Sequence, residues 1–325
     1  RDDVESRGLG DVYKRQLTVF RLRDEDQIAV LEMGISDFGE MARLTKIAKP
    51  DTCVITNIGT CHLENLGDRD GVLKAKTEIF QSMKTNGHIV LNGDDDKLIT
   101  VREYNGVKPV FFGLNSERDV YADQIESKGL KGVACRIHLG EDAFDVLVPT
   151  PGIHMVYNAL AAAAVGRIYG LTIEEIRRGI ESLETIRGRF KMIETDKFLV
   201  VDDCYNANPM SMKASLDVLH DGEGRRVAIL GDMGELGEDE AALHEGVGIH
   251  AATCGIDACV CVGDLAVHIA EAARKANPDF PVYYEKTRES LLEHLNDYVQ
   301  KGDTILVKAS HFMKFEEVVK ALEEM

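Results

Sequence analysis

FLVVDDCYNANPMSMKASLDVLHDGEGRRVAILG (198–231) decides the fold. Phe198–Val201 is an apolar run of strand length. Two acids, two Asn and Pro209 follow it, and 209–219 has helical spacing. Pro209 suits the first turn of that helix and Asn208 suits its N-cap. Strand character returns at 226–230. Strand, helix and strand in this order form a βαβ unit with parallel strands.

The pattern continues on both sides. Phe190–Glu194 and Phe198–Val201 form a hairpin pair. Beyond 230 come helix 239–253, strand 258–262, helix 264–275, strand 282–284, helix 287–299, strand 304–307 and helix 313–324. From Gly188 onward the chain therefore reads as a doubly wound, Rossmann-like α/β domain of about 135 residues. Cys259 and Cys261 share one face of a buried strand within it. Residues 17–187 form a second α/β domain. Its elements are strand Ile28–Met33, helix Glu40–Ala48, strand Thr52–Ile58, helix Gly71–Met83 and strand His88–Leu91 with the acidic turn Gly93–Asp96. This alternation gives a mostly parallel sheet. Pro109–Phe112, Val120–Ile125, Val133–Leu139 and Ala143–Val148 read as a small antiparallel insert. Helices Met155–Tyr169 and Ile173–Leu183 follow, the second opened by a Thr172/Glu175 capping box. Residues 1–16 carry no apolar period. DVYKRQ (11–16) resembles a translated library adapter, so 1–16 is expected to be a non-native or passive tail, the alternative being a native polar terminus.

The 325 residues suit about two domains. Hydrophobic residues at 44% and charged residues at 29% exclude disorder across the chain. No run approaches the ~18 apolar residues of a span, so no membrane insertion is expected. A formal charge of −18 argues against nucleic acid as a partner. Seven cysteines without a CxxC pair argue against a disulfide framework and for a reducing cytoplasm.

In open α/β sheets, chemistry gathers at the carboxyl ends of strands. Glu32 lies in an otherwise apolar run and is either solvated or paired with a cation. His62 follows the next strand. Lys76 falls within the apolar stripe of helix 71–83, whereas Lys74 and Glu78 make an ordinary i,i+4 surface pair. Lys76 either snorkels to the edge or sits in a cleft as a functional amine. A neutral lysine amine can take up carbon dioxide as a carbamate, which offers two oxygens to a metal. Asp202, Asp203 and Asn206 crowd one strand end. Three glycines in Gly231–Gly237 resemble a phosphate cradle, but the acids at 232, 235 and 238 favour a shaped loop. Arg189 is placed to reach a phosphate or to make an ion pair.

Together these pieces resemble the Mur ligases of peptidoglycan synthesis. The matches are LEMG (31–34), AKPD (48–51) with VITNIG (54–59) and His62, KAKTEIF (74–80), YNALAAAAVG (157–166), GRF (188–190), DDCYNANPMSMKAS (202–215), GDMGELGE (231–238) with His244, and LVKAS (306–310). The fold implied is a partial central ATPase domain followed by the Rossmann-like ligase domain. YNANP and GDMGELG point to the branch that joins D-alanyl-D-alanine to UDP-N-acetylmuramoyl-tripeptide. The resemblance implies ATP and Mg2+ as cofactors and those two molecules as partners, with the protein a monomer. It implies Glu32, His62 and carbamylated Lys76 as metal ligands, and Lys76, His62 and Arg189 as catalytic residues. Asn158, Arg189 and Asp203 would hold the nucleotide. Tyr205, Asn206, Asn208, Lys308 and Ser310 would line the substrate side.

The chain departs from the family pattern in three places. No GxxxxGK[ST] occurs. Met155 follows His154 where the family usually has Asn, and Ala309-Ser310-His311 stands for a more usual Gly-Ser-Arg. The family places its phosphate loop and UDP-sugar domain upstream of residue 17, so this segment by itself is expected to turn over poorly. Another Mur-type or folylpolyglutamate-type ligase, or a non-catalytic nucleotide-binding remnant, are the alternatives.

Overall fold

Short apolar runs bounded by glycine and acidic residues become the central strands of the later sheet, because a strand covered on both faces needs no polar alternation. The computed structural model describes residues 22–59 and 63–325. Residues 1–16 and His62 therefore lie outside the described residues. The elements up to the first long helix are α1 (Glu40–Ala48), β1 (Thr52–Ile55), α2 (Leu63–Leu66), α3 (Arg69–Thr77), β2 (His88–Asn92), β3 (Val110–Gly113), β4 (Val120–Ser127), β5 (Val133–Leu139) and β6 (Asp142–Val148). Helices α4 (Ile153–Ile168) and α5 (Ile173–Glu181) follow. Then come β7 (Lys191–Glu194), β8 (Leu199–Asp202), α6 (Pro209–His220), β9 (Arg226–Gly231), α7 (Glu240–Thr253), β10 (Ala258–Val262) and α8 (Ala266–Ala276). The last are β11 (Val282–Glu285), α9 (Arg288–Tyr298), β12 (Thr304–Lys308) and α10 (Glu316–Glu324).

The chain divides into two compact units. One holds the described residues up to Asp123 with Ile137–Phe144 and Tyr157–Ile176; the other holds Gln124–Arg136, Asp145–Val156 and Arg177–Met325. One six-stranded sheet has the order β1-β2-β3-β4-β5-β6, and the other β11-β10-β9-β12-β8-β7. In the second, β8, β9, β10, β11 and β12 are parallel and only β7 runs antiparallel, against β8. After β11 the chain returns to insert β12 between β8 and β9, the reversal of direction at which such sheets bind ligands. The fold expected from sequence is thus observed: two mostly parallel α/β sheets, the later one doubly wound. Cys259 and Cys261 do share a face of the buried β10, their Sγ atoms 3.5 Å apart. The hydrogen bond with Cys261, followed by burial, pushes the Cys259 thiol well up.

Four local expectations are corrected. Ile28–Met33 forms no strand; Ile28 is 65% and Val30 92% exposed. An apolar run becomes a strand only where a neighbour accepts its ladder, and among the described residues β1 pairs with β2 alone. Helix 71–83 breaks after Thr77 into a 3₁₀ turn, Glu78–Ser82. Glu78 does not pair with Lys74. Its carboxylate accepts the N–H groups of Gly39 and Ala42 at the start of α1, and Lys74 lies over the Phe38 ring. The first strands of the expected antiparallel insert are parallel, β3 to β2 and β4 to β3, and so extend the main sheet.

Helices α7 and α8 meet closely at Gly248, where a Cβ would come within 2.1 Å of the Ile269 carbonyl oxygen. Alanine favours a helix over glycine by up to about 1 kcal/mol, but overpacking costs about 1–3 kcal/mol. Gly248→Ala is therefore expected to be net destabilising in urea unfolding, and a stabilised variant would contradict this packing.

Candidate active site at the carboxyl ends of β8, β9 and β12

Parallel register brings the site together. Val307 on β12 lies opposite Asp202 on β8, so Lys308 and Asp203, one step further, come side by side. The Asp203 N–H donates to the Val307 carbonyl at 3.0 Å. The Lys308 side chain is 3% exposed, and its Nζ donates to Asp203 Oδ2 at 2.5 Å and to the Asn206 carbonyl at 3.1 Å. Asp203 also accepts the Ser215 hydroxyl at 2.7 Å and the Phe190 N–H at 3.2 Å. An ammonium this deep needs a counter-charge, and Asp203 supplies it.

Beside this pair, the Arg189 guanidinium lies 4.4 Å from the centre of the Tyr205 ring. The His311 ring is on the same tyrosine, 5.7 Å away. Tyr205 is half-buried, and Asn206 is exposed. Asn208 is the N-cap of α6. It accepts the Ser211 N–H at 2.9 Å, and its own N–H donates to the Ser211 hydroxyl at 3.1 Å. Ser310 accepts the Gly234 N–H at 2.9 Å and so pins the glycine-rich loop.

That loop is shaped by its own acid, as its sequence implied. The Asp232 carboxylate accepts the N–H groups of Asp264, Leu265 and Ala266 at 3.1, 3.1 and 2.7 Å, which occupies the start of α8. Burial raises the Asp232 carboxyl above its usual range, against these hydrogen bonds. His244 is fully buried. Its Nε2 accepts the Met233 N–H at 3.0 Å, and its Nδ1 lies 2.7 Å from the Glu240 carbonyl, so Nδ1 carries the proton. Burial lowers its pKa, which leaves the ring neutral.

In the other unit, Lys76 is half-buried on α3 and its Nζ donates to the Asn57 carbonyl at 2.9 Å, just past β1. Neighbours clamp that loop: the Ile58 N–H donates to Asp95 and the Ile58 carbonyl accepts Arg69 Nε. Glu32 is exposed and lies outside any strand. Asn158 is exposed on α4. Among the described residues no group of three or more His, Cys, Asp and Glu could hold a metal. The structure therefore brings together Asp203, Lys308 and Asn206, and separately Arg189 and Tyr205. Sequence reading gave no work to Ser215 or Asp95. Ser215 sits on α6 seven residues after the cap, a position that faces back toward the strand end.

A doubly wound domain with a buried ion pair and a guanidinium over an aromatic ring at its strand ends is an open α/β protein whose polar side chains gather where such sheets bind ligands. The chain belongs to the Mur ligase family. It matches the Mur ligase middle domain over residues 4–166 and the Mur ligase, glutamate ligase domain over 188–311. It is 37% identical over 311 residues to the UDP-N-acetylmuramoyl-tripeptide–D-alanyl-D-alanine ligase of Bacillus subtilis, covering 95% of this chain and 67% of that protein. The structure is similar to MurF from Acinetobacter baumannii, with a TM-score of 0.88, 31% identity and coverage of 98% of this chain and 70% of that one. MurF ligase from Thermotoga maritima in complex with ADP gives a TM-score of 0.77 at 29% identity, covering 91% and 66%. The chain thus spans about two thirds of the length of these relatives.

Two outcomes are expected. In a double-mutant cycle, Lys308→Ala and Asp203→Ala should couple by about 1–3 kcal/mol, because each alone strands a charge; additive losses would show the pair to be energetically idle. For His244 the folded pKa is depressed, so the unfolded chain binds the proton more readily. The stability it contributes is present above the ordinary value of about 6.5 and is lost as pH falls below it. The stability gap between wild type and His244→Gln should therefore narrow from pH 7.5 to 5.5, while Asp232, common to both, cancels.

Proposed function

We propose that this chain is the ATP-using and amide-forming part of a ligase that adds D-alanyl-D-alanine to UDP-N-acetylmuramoyl-tripeptide. The observation that carries the reading is the Arg189–Tyr205 stack beside the Lys308–Asp203 pair at the ends of β8 and β12. It occurs in a chain whose relatives bear that activity in their names.

The reaction has two steps. The terminal phosphoryl of ATP passes to the tripeptide carboxylate: a P–O bond to ADP breaks and one to the acyl oxygen forms. The dipeptide amine then attacks the acyl carbon, a C–N bond forms, phosphate leaves and the amine gives up a proton. Arg189 holds the phosphoryl oxygens; a planar guanidinium kept on an aromatic ring loses little freedom on binding them. Lys308, anchored by Asp203, places positive charge where the acyl phosphate develops negative charge. Tyr205 and Asn206 face the substrate, while Asn208 and Ser310 hold the backbone that presents them. Asn158 contacts the adenine. Residues 17–187 serve as the central ATP-binding domain and 188–325 as the ligase domain.

Glu32, His62 and Lys76 are proposed as the Mg2+ ligands. The fit rests on Lys76, whose half-buried amine is held at the loop after β1. As a carbamate it would add two hard oxygens to the carboxylate of Glu32, the donor type this ion takes. When bound, the ion neutralises charge on the phosphates.

The test is ADP release by the gene product that carries this chain, given UDP-N-acetylmuramoyl-tripeptide, Mg-ATP and D-alanyl-D-alanine. Turnover dependent on the dipeptide is expected, and Arg189→Ala should cost about 10²–10³ in rate. Release stimulated by glutamate or another single amino acid, and not by the dipeptide, would overturn the substrate assignment.

A further inference from the structure

Arg189 stands between two residues in the left-handed region, Gly188 at φ +77° and Phe190 at φ +55°. Gly188 is the third residue of a turn closed by the Arg189 N–H on the Ile186 carbonyl at 3.1 Å. Only glycine enters such a position without strain. A Cβ there would also meet the Tyr205 Cβ at 3.1 Å. Phe190 has no such freedom, so its surroundings must hold it.

Two neighbouring carboxylates do the holding. Asp203 Oδ1 accepts the Phe190 N–H on one side of Arg189. On the other side, Asp202 Oδ2 accepts the Gly188 N–H at 2.8 Å. The Gly188 carbonyl in turn accepts the Tyr205 N–H at 2.9 Å. The same tyrosine carries the Arg189 guanidinium on its ring. Asp202 is buried, and its second oxygen accepts the Cys204 thiol at 3.0 Å. A charged acceptor gives a shorter and stronger bond to a backbone N–H than a neutral one, which suits a turn kept against strain.

We infer that Asp202 is a positioning residue: it fixes the Arg187–Gly188 peptide, and with it the turn that carries Arg189, so that the guanidinium rests on Tyr205 and faces the transferred phosphoryl. The inference rests on the reading of Arg189 as the phosphate-side cation. Asp202 touches neither nucleotide nor substrate in this scheme and acts only through Arg189. A misplacement of about 1 Å can cost up to about 10² in rate, so the effect lies within measurable range.

The experiment compares Asp202→Ala, Asp202→Asn, Gly188→Ala, Arg189→Ala and the double variant Asp202→Ala/Arg189→Ala in the gene product that carries this chain. ADP release is measured against ATP at saturating dipeptide, then against dipeptide at saturating ATP. Asp202→Ala and Gly188→Ala are expected to lower kcat/KM for ATP by about 10–100-fold, with KM for D-alanyl-D-alanine unchanged. Asp202→Asn, whose amide oxygen can still accept the Gly188 N–H, should retain most of the activity. In the Arg189→Ala background, Asp202→Ala should add nothing further. A loss that multiplies onto that of Arg189→Ala, or that falls equally on the dipeptide KM, would overturn the inference and leave a merely structural role. If Asp202→Ala does not fold, Gly188→Ala decides: an unchanged kcat/KM for ATP overturns it. Full ATP turnover in Arg189→Ala alone would instead remove the reading of Arg189, a separately visible outcome that takes this inference with it.

Discussion

A buried ammonium at the end of a central strand has few acceptable environments. Lys308 must lose its charge, be paired, or force its strand out of the sheet. Asp203 pairs it, and because the pair sits one step beyond the Val307–Asp202 register, it locks β8 to β12 at the end where the sheet reverses. The consequences spread from there. Asp203 holds Phe190, and through it the entry of the chain into β7. It also holds Ser215, and through it the face that α6 turns to the sheet. Lys308 spends a further hydrogen bond on the Asn206 carbonyl, which fixes the loop between β8 and α6.

The loop after β9 follows a different logic. Helix N-termini attract anions because their first N–H groups lack partners. Three glycines ahead of a helix therefore invite a phosphate reading. Here the anion is part of the chain: Asp232 reaches across to the N–H groups of 264–266. Gly263 at φ +126° permits this approach, since a Cβ there would lie 2.3 Å from the carboxylate. With those donors occupied, the start of α8 is left with no free backbone donors for an outside anion at 264–266.

The sequence was most legible where local pattern and burial agree. Strand β10 was read at 258–262 and is found there, because a strand buried on both faces shows itself as an unbroken apolar run. The N-cap at Asn208 was equally plain, since its partner is three residues away. Ile28–Met33 has the same apolar character as β10 but lacks a ladder, and apolarity alone does not report whether a neighbour exists. Helix 71–83 failed for a related reason. Glu78 looked like a surface residue, yet its carboxylate serves a helix start nearly forty positions earlier. Asp202, Asp203 and Asn206 stood out as polar groups crowding one strand end, whereas Lys308 came from the resemblance alone. What Asp202 does there was not legible, because its work lies in closing a turn 14 residues upstream, which no spacing rule encodes.

Sequence separation thus sorts the polar residues by what they do. Asn208 with Ser211, Thr172 with Glu175 and Asp68 with Gly71 each find a partner within a single helical turn. These contacts stabilise the element they belong to and would form in almost any fold that keeps it. Lys308 and Asp203 are 105 positions apart. Such a contact forms only after the sheet has closed, so it cannot guide local structure, and its desolvation must be met by the finished fold. A chain could fill the same space with apolar side chains at little cost in stability. Retaining charge at the strand ends is therefore best explained by what the charge meets there, and the flanking strain at Phe190 points the same way: a left-handed bulky residue is tolerated where it sets the direction of Arg189.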